Sequence, residues 1–232
     1  MIIFSIDLSS PLSSIAIAHN GECVLAESFV GGQKSSSELF TALESRKEFV
    51  PEKIELWAVG LGPGSFTGVR VALAAIAGFN LPFDRPVIGY GSHDALLAGF
   101  VRMSENFTDQ QVAVVTDARR NDAYVTTFSV TGKTSKKIHP TFLCPITSLD
   151  DKIPVECLIL TYEADSFKER LVESASAPIK IWESALFPSA IEGAAIAEQI
   201  LLTGDGGAES LQPLYLRETN YKEAPPARFK NL

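Results

Sequence analysis

A strand that ends in an aspartate and turns at once into a hairpin occurs twice in this chain. In the first copy, IIFSIDL (residues 2–8) reads as a buried strand closed by Asp7. SSIAIAHNGECVLAESF (13–29) then reads as two strands joined at Asn20-Gly21, a dipeptide suited to a type I′ turn. In the second copy, QQVAVVTDARRNDAYVTTFSVTGK (110–133) sets Asp117 at a strand end and reverses near Thr131-Gly132. Asp7 to Gly21 spans fourteen residues and Asp117 to Gly132 fifteen. The recurrence predicts two duplicated halves, residues 1–104 and 105–232, with the boundary near residues 104 to 110.

Between and after these hairpins, short apolar runs alternate with helical patterns. A helix is expected from Ser37 as N-cap, with Leu39, Phe40 and Leu43 at helical spacing. IELWAVGL (54–61), PVIGY (86–90), VECLILTY (155–162) and IKIWE (179–183) read as strands. Helices are expected over Thr67–Asn80, SHDALLAGFVRM (92–103), SFKERLVES (166–174) and SAIEGAAIAEQILL (189–202), and the last twenty residues as an extended tail. Strands interleaved with helices call for an α/β architecture, and the hairpins make its sheets mixed.

The formal net charge is −8, and the pI is about 5.0. Such a chain lacks the basic footprint of a protein that grips nucleic acid by itself. The start has no basic leader, and no apolar run approaches about 18 residues, so no membrane contact is expected. Cys23, Cys144 and Cys157 have no metal or redox spacing and read as buried reduced thiols in a cytoplasmic protein.

GLGPGSFTGVR (60–70) joins a strand to a helix where α/β proteins often cradle phosphate. A Walker loop needs a lysine after its second glycine, and none follows at that spacing. The dinucleotide fingerprint fails as well, because Ser65 stands where the third glycine belongs. Gly62-Pro63-Gly64 suits a sharp reversal, with Ser65 or Thr67 capping the helix. That helix, TGVRVALAAIAGF, has Arg70 as its only charge. A surface helix carries a polar face, so this one is either buried in the domain or packed on a second protein.

Metal and nucleophile signatures are missing. His19, His93 and His139 have no partner histidine at ligand spacing; His19 and His139 read as surface residues and His93 as a solvated first-turn residue. No Gly-x-Ser-x-Gly elbow occurs. Asp7 and Asp117 stand at strand ends where α/β sites form. Facing each other across a cleft they could hold a hydrated magnesium ion, or each could cap its own turn. Ser9, Ser10 and Ser13 keep the first turn small, whereas the second carries Arg119 and Arg120.

The run GLGPGSFTGVRVALAAIAGFNLPFDRPVIGYGSHDALLAG resembles the TsaB (YeaZ) family, as do IDLSSPLSSIAIAHNG, TDARRNDAYVTTF and PLYLRE. The resemblance implies an actin-like, sugar-kinase-like (ASKHA) fold of two duplicated halves with mixed sheets flanked by helices. It implies a non-catalytic subunit without cofactor or metal. This subunit pairs with TsaD, with TsaE joining, for threonylcarbamoyl transfer to a tRNA adenosine next to the anticodon. TsaD carries a His-x-x-x-His metal pair where this chain has Ser92 and Leu96, with His93 out of register. The pairing would use two helices of the N-terminal half, around residues 37–48 and 67–80; contact with tRNA would come only through the complex, and alone the chain would bury the same helices as a homodimer. Leu39, Phe40, Leu43, Val69, Ala72, Leu73 and Ile76 are the interface candidates. Asp7, Ser9, Ser10 and Asp117 mark a vestigial nucleotide or phosphate site. The competing reading is an actin-like ATP-dependent kinase or phosphatase of small molecules, working through Asp7 and Asp117.

Overall fold

The computed structural model describes residues 1–32, 35–44, 46–104, 109–154, 156–204, 211–214 and 216. The first half runs β1 (Ile2–Asp7), β2 (Leu12–His19), β3 (Glu22–Val30), α1 (Ser35–Glu44), β4 (Leu56–Gly60), α2 (Phe66–Asn80), β5 (Val87–Tyr90) and α3 (Ser92–Met103). The second runs β6 (Gln110–Arg119), β7 (Asp122–Thr131), β8 (Thr134–Pro145), a 3-10 turn over Ile146–Asp151, β9 (Leu158–Leu160), α4 (Asp165–Ser174), β10 (Lys180–Ile181) and α5 (Ala190–Thr203).

The sheets have the same plan. The first is ordered β3-β2-β1-β4-β5 and the second, from its opposite edge, β8-β7-β6-β9-β10. In each, the opening strand pairs antiparallel with its hairpin neighbour and parallel with the next strand. Two halves of one plan, each a mixed sheet flanked by helices, are what the repeat and the resemblance led one to expect. The first hairpin turns on Asn20 and Gly21, both at positive φ (52° and 81°), as a type I′ turn requires.

The layering exchanges helices between halves. α1 and α2 cover the outer face of the first sheet, around Phe4, Ile6, Trp57 and Val59. α4 covers the outer face of the second sheet through Phe167 and Leu171. Between the sheets, α3 of the first half packs Leu96, Leu97 and Phe100 on Val112, Val114 and Leu160 of the second. α5 of the second half packs Ala194 and Ala197 on Ile3, Leu56 and Ala58 of the first. The central strands β1, β4 and β6 are buried along most of their length because both faces are covered, with Ser5 and Thr116 among their few buried polar side chains. The expected half boundary adjoins residues 105–108, which lie outside the described residues.

Two expectations change in detail. α1 begins at Ser35, so Ser37 lies inside it rather than capping it. Cys23 is exposed, because the β3 edge is open; Cys144 and Cys157 are buried in reduced form. Burial pushes the Cys157 thiol up to about 12. Of the expected tail, residues 215 and 217–232 lie outside the described residues. Leu214 donates its N–H to Leu61 O, tying residues 211–214 to the first half. Among the described residues, no helix is long and apolar enough to cross a membrane.

Close packing fixes the helix exchange. A Cβ on Gly193 of α5 would meet Tyr90 Cζ at 2.1 Å, whereas one on Gly78 of α2 meets nothing within 4 Å. Gly193→Ala should therefore cost about 1–3 kcal/mol by overpacking. Gly78→Ala should stabilise by about 0.5–1 kcal/mol through helix propensity. Urea midpoints of the two variants test this; similar midpoints would contradict the packing described.

Candidate functional site

The GLGPGSFTG loop is built against the turn that follows β1. Gly62 and Gly64 lie at φ +89° and +148°, open to glycine and strained for other residues. Ser65 N donates to Ser9 O at 2.6 Å. A Cβ on Gly64 would sit 2.1 Å from Ser9 O, and one on Gly68 would sit 1.9 Å from Leu8 O. Ser65 caps α2, its hydroxyl accepting from Gly68 N at 3.1 Å. The loop's glycines thus let backbone meet backbone.

Asp7 lies beneath this junction and is 1% exposed. Its Oδ1 accepts from Ser9 N (2.9 Å) and Ser9 Oγ (2.6 Å), the turn-capping geometry weighed from sequence. Its Oδ2 has no hydrogen-bond partner. A Cβ on Gly60 would meet that oxygen at 2.2 Å. Burial raises the carboxyl above its ordinary value, more than the Ser9 bonds and the nearby Ser92 hydroxyl lower it.

Asp117 holds the equivalent turn of the second half differently. Its Oδ1 accepts from Arg119 N at 2.8 Å. Its Oδ2 pairs with Arg119 Nη1 and Arg170 Nη2, each at 3.3 Å. Asp117 N donates to Glu163 Oε1 at 3.1 Å. Burial, with a smaller contribution from the Asp117 charge, raises the Glu163 carboxyl.

A cleft of about 520 Å³ lies between the halves, with Ser9, Ser10, Gly64 and Ser65 on one wall and Asp117 and Glu163 on the other. The structure therefore brings Ser9, Ser10 and Asp117 to one cleft and seals Asp7 below it. The arrangement does not suit a hydrated magnesium ion. Two guanidinium groups take the position beside Asp117, and Asp7 offers no oxygen to the cleft. Tyr124, Tyr162 and Glu163 also line it. Sequence reasoning passed over them, although Tyr162 and Glu163 follow β9, at the strand end where such clefts form.

His93 is fully buried rather than solvated, because α3 enters between the sheets. Its ring bonds Thr126 Oγ1 through Nδ1 (2.7 Å) and Thr116 Oγ1 through Nε2 (3.0 Å). Burial holds the imidazole neutral down to about 3.

The interface candidates divide. Leu39, Leu43, Val69, Ala72 and Ile76 are at most 5% exposed and form the chain's own core under α1 and α2. Phe40 is exposed and Leu73 half-buried. The outer surface of α2 consists instead of Phe66, Thr67, Arg70, Ala74, Ala77 and Gly78, with Leu81 just beyond its end. Arg70 stacks over the Phe66 ring at 3.7 Å. Beside it, Phe40, Leu43, Glu44, Phe49 and Phe79 line an open groove between α1 and α2. Phe40 and Phe79 meet edge to face, and Phe79 continues through Phe49 to Phe4 in the core.

Among known families, the model described as "TsaD: tRNA N6-adenosine threonylcarbamoyltransferase" matches residues 36–171. An uncharacterized protein of Mycobacterium bovis is 27% identical over 128 residues, 53% of this chain and 56% of that protein. One of Mycobacterium leprae is 40% identical over 72 residues, 31% of this chain and 18% of that protein. The chain thus spans about half the length, or less, of these curated relatives. Among solved structures, a Pseudomonas aeruginosa protein described as similar to peptidase YeaZ superposes with a TM-score of 0.76 at 21% identity. The superposition covers 93% of this chain and 99% of that one. YeaZ from the same organism superposes at 0.75 with the same identity and coverage. At that identity the likeness establishes the fold, and with the family match it agrees with the TsaB (YeaZ) resemblance read from the sequence.

The buried carboxyl makes a pH prediction. Because the folded-state value of Asp7 is raised, the native state holds a proton that the unfolded chain has released. Stability should fall as pH rises from the ordinary value of 3.8 through the raised one, then level off. Asp7→Asn keeps the Oδ1 acceptor and removes the charge. It should be more stable than the parent near pH 8, with the difference shrinking toward pH 4. Denaturation at a series of pH values checks this; a constant difference would contradict a strained carboxylate.

Proposed function

The chain belongs to the TsaD family of tRNA N6-adenosine threonylcarbamoyltransferases, and we propose that it is an accessory subunit within it. In this reading it does not carry the transfer itself. It pairs with a catalytic TsaD subunit, is joined there by TsaE, and reaches tRNA only through that complex. The observation that carries the reading is the outer face of α2. Over 15 residues this surface helix offers Arg70 as its only charge and is otherwise small or apolar. Such a face in water is typical of a surface that a partner covers. The sequence left open whether α2 is buried or docked. Its place in the outer layer, with its inner face already filled by Val69, Ala72 and Ile76, favours docking.

The charge balance and the cleft support the same reading. A net charge of −8 leaves the binding of RNA to a partner. The kinase or phosphatase alternative needs Asp7 and Asp117 to face one metal-nucleotide. Here one is buried and the other is held by two arginines.

Ala72 is 0% exposed, so an arginine there would unfold the chain rather than probe a partner. Ala74 and Ala77 are exposed and serve better. Ala77→Arg should keep the parent's urea midpoint while weakening association with TsaD at least about tenfold, some 1.4 kcal/mol. Light scattering of mixtures during gel filtration reads this. Unchanged pairing by a folded Ala77→Arg, Ala74→Arg double variant would remove α2 from the interface.

A further inference from the structure

His93 is one of the residues of α3 through which the first half meets the sheet of the second. Just before it, Ser92 is tied twice to the loop that launches α2. Ser92 N donates to Gly62 O at 2.8 Å, and Ser92 Oγ accepts from Gly62 N at 3.1 Å. On the other side, the ring reaches two strands of the second sheet, Thr116 on β6 and Thr126 on β7. Thr116 immediately precedes Asp117, which lines the cleft. Thr126 Oγ1 continues to Thr141 Oγ1 on β8 at 2.8 Å. One imidazole therefore stands between the GPGS loop and the opposite wall of the cleft.

A neutral imidazole has one donor and one acceptor, and each ring nitrogen meets a threonine hydroxyl that can take either role. Thr116 is 1% exposed and also has the Tyr162 hydroxyl beside it. Thr141 is only partly buried and can exchange hydrogen bonds with water. Either tautomer therefore leaves the buried hydrogens paired, and both ring bonds stand in each.

We infer that His93 is a positioning residue that locks the second-half wall of the cleft to the loop launching α2. The lock is specific in a way that hydrophobic packing of α3 is not. Leu96, Leu97 and Phe100 hold α3 on the sheet, but apolar contacts leave its register against β6 and β7 soft. Two short directed bonds to adjacent strands define it from within, beside the Asp94–Lys137 pair and the bonds of Lys133 to the Val101 and Arg102 carbonyls at the helix surface.

Nitrogen-15 spectra of the intact chain test the two ring bonds without any substitution. The expected pattern is one fixed neutral tautomer, with one protonated and one pyridine-like nitrogen. Averaged signals from two tautomers would overturn the lock. Hydrogen exchange tests the positioning role. His93→Leu should speed exchange at least about tenfold in the hairpin over residues 117–124, leaving β1 and β4 unchanged. His93→Asn, which keeps a donor near the Nδ1 position, should recover part of the protection. Equal loosening of both sheets, or no rescue by asparagine, would reduce His93 to ordinary core packing. If His93→Leu fails to fold, Thr116→Val removes only the Nε2 bond of the ring. It should move the Nε2 signal and loosen the same hairpin, and an unmoved signal would overturn the proposal.

Discussion

The structure depends on one backbone-to-backbone contact: the GPGSFTG loop lying directly on Leu8 and Ser9. Ser65 N–H bonds Ser9 O, and Gly64 and Gly68 come so near that a methyl group at either would overlap a carbonyl oxygen. That contact fills the turn after β1 with protein. It leaves Asp7 under a lid of glycine backbone, with one oxygen bonded to Ser9 and the other to nothing. The same contact sets the direction of α2, because Ser65 is both the residue bonded to Ser9 and the N-cap of the helix. A loop that looks made for phosphate therefore serves to anchor a helix.

What the anchored helix shows to solvent follows from the layers. α3 and α5 are exchanged between halves and fill the space between the sheets, so α1 and α2 are left outside on the first sheet. The inner face of α2 is closed by Gly68, Val69, Ala72 and Ile76. Its outer face keeps nearly the same apolar character and is exposed, with no layer over it among the described residues. The cleft between the halves survives as a space, but its second wall is stitched by Asp117, Arg119 and Arg170, and its first is occupied by the loop.

Much of this was legible in the residues. The repeat of strand, aspartate and hairpin foretold two sheets of one plan, and Asn20-Gly21 marked its turn. Gly62-Pro63-Gly64 marked a sharp reversal with Ser65 or Thr67 as cap, and Ser65 holds that place. The facing of α2 was not legible. A helix of alanine, glycine, valine and leucine with a single arginine has no periodic contrast to say which side is wet. Five of the seven interface candidates consequently turned out to be core. His93 was misjudged for a related reason: its helix begins at a strand end, where a first turn is usually solvated, yet here a second sheet arrives from 23 residues further along the chain. That long-range approach leaves no local trace.

The central claim is that the chain assists a transfer that another subunit performs. Threonylcarbamoyl incorporation into tRNA by TsaD and TsaE, measured with and without this chain, tests it most directly. The account predicts at least about a tenfold loss of incorporation when the chain is left out, and full activity when the chain carries Asp7→Asn. Incorporation that ignores the chain would contradict the account, as would incorporation abolished by a folded Asp7→Asn protein.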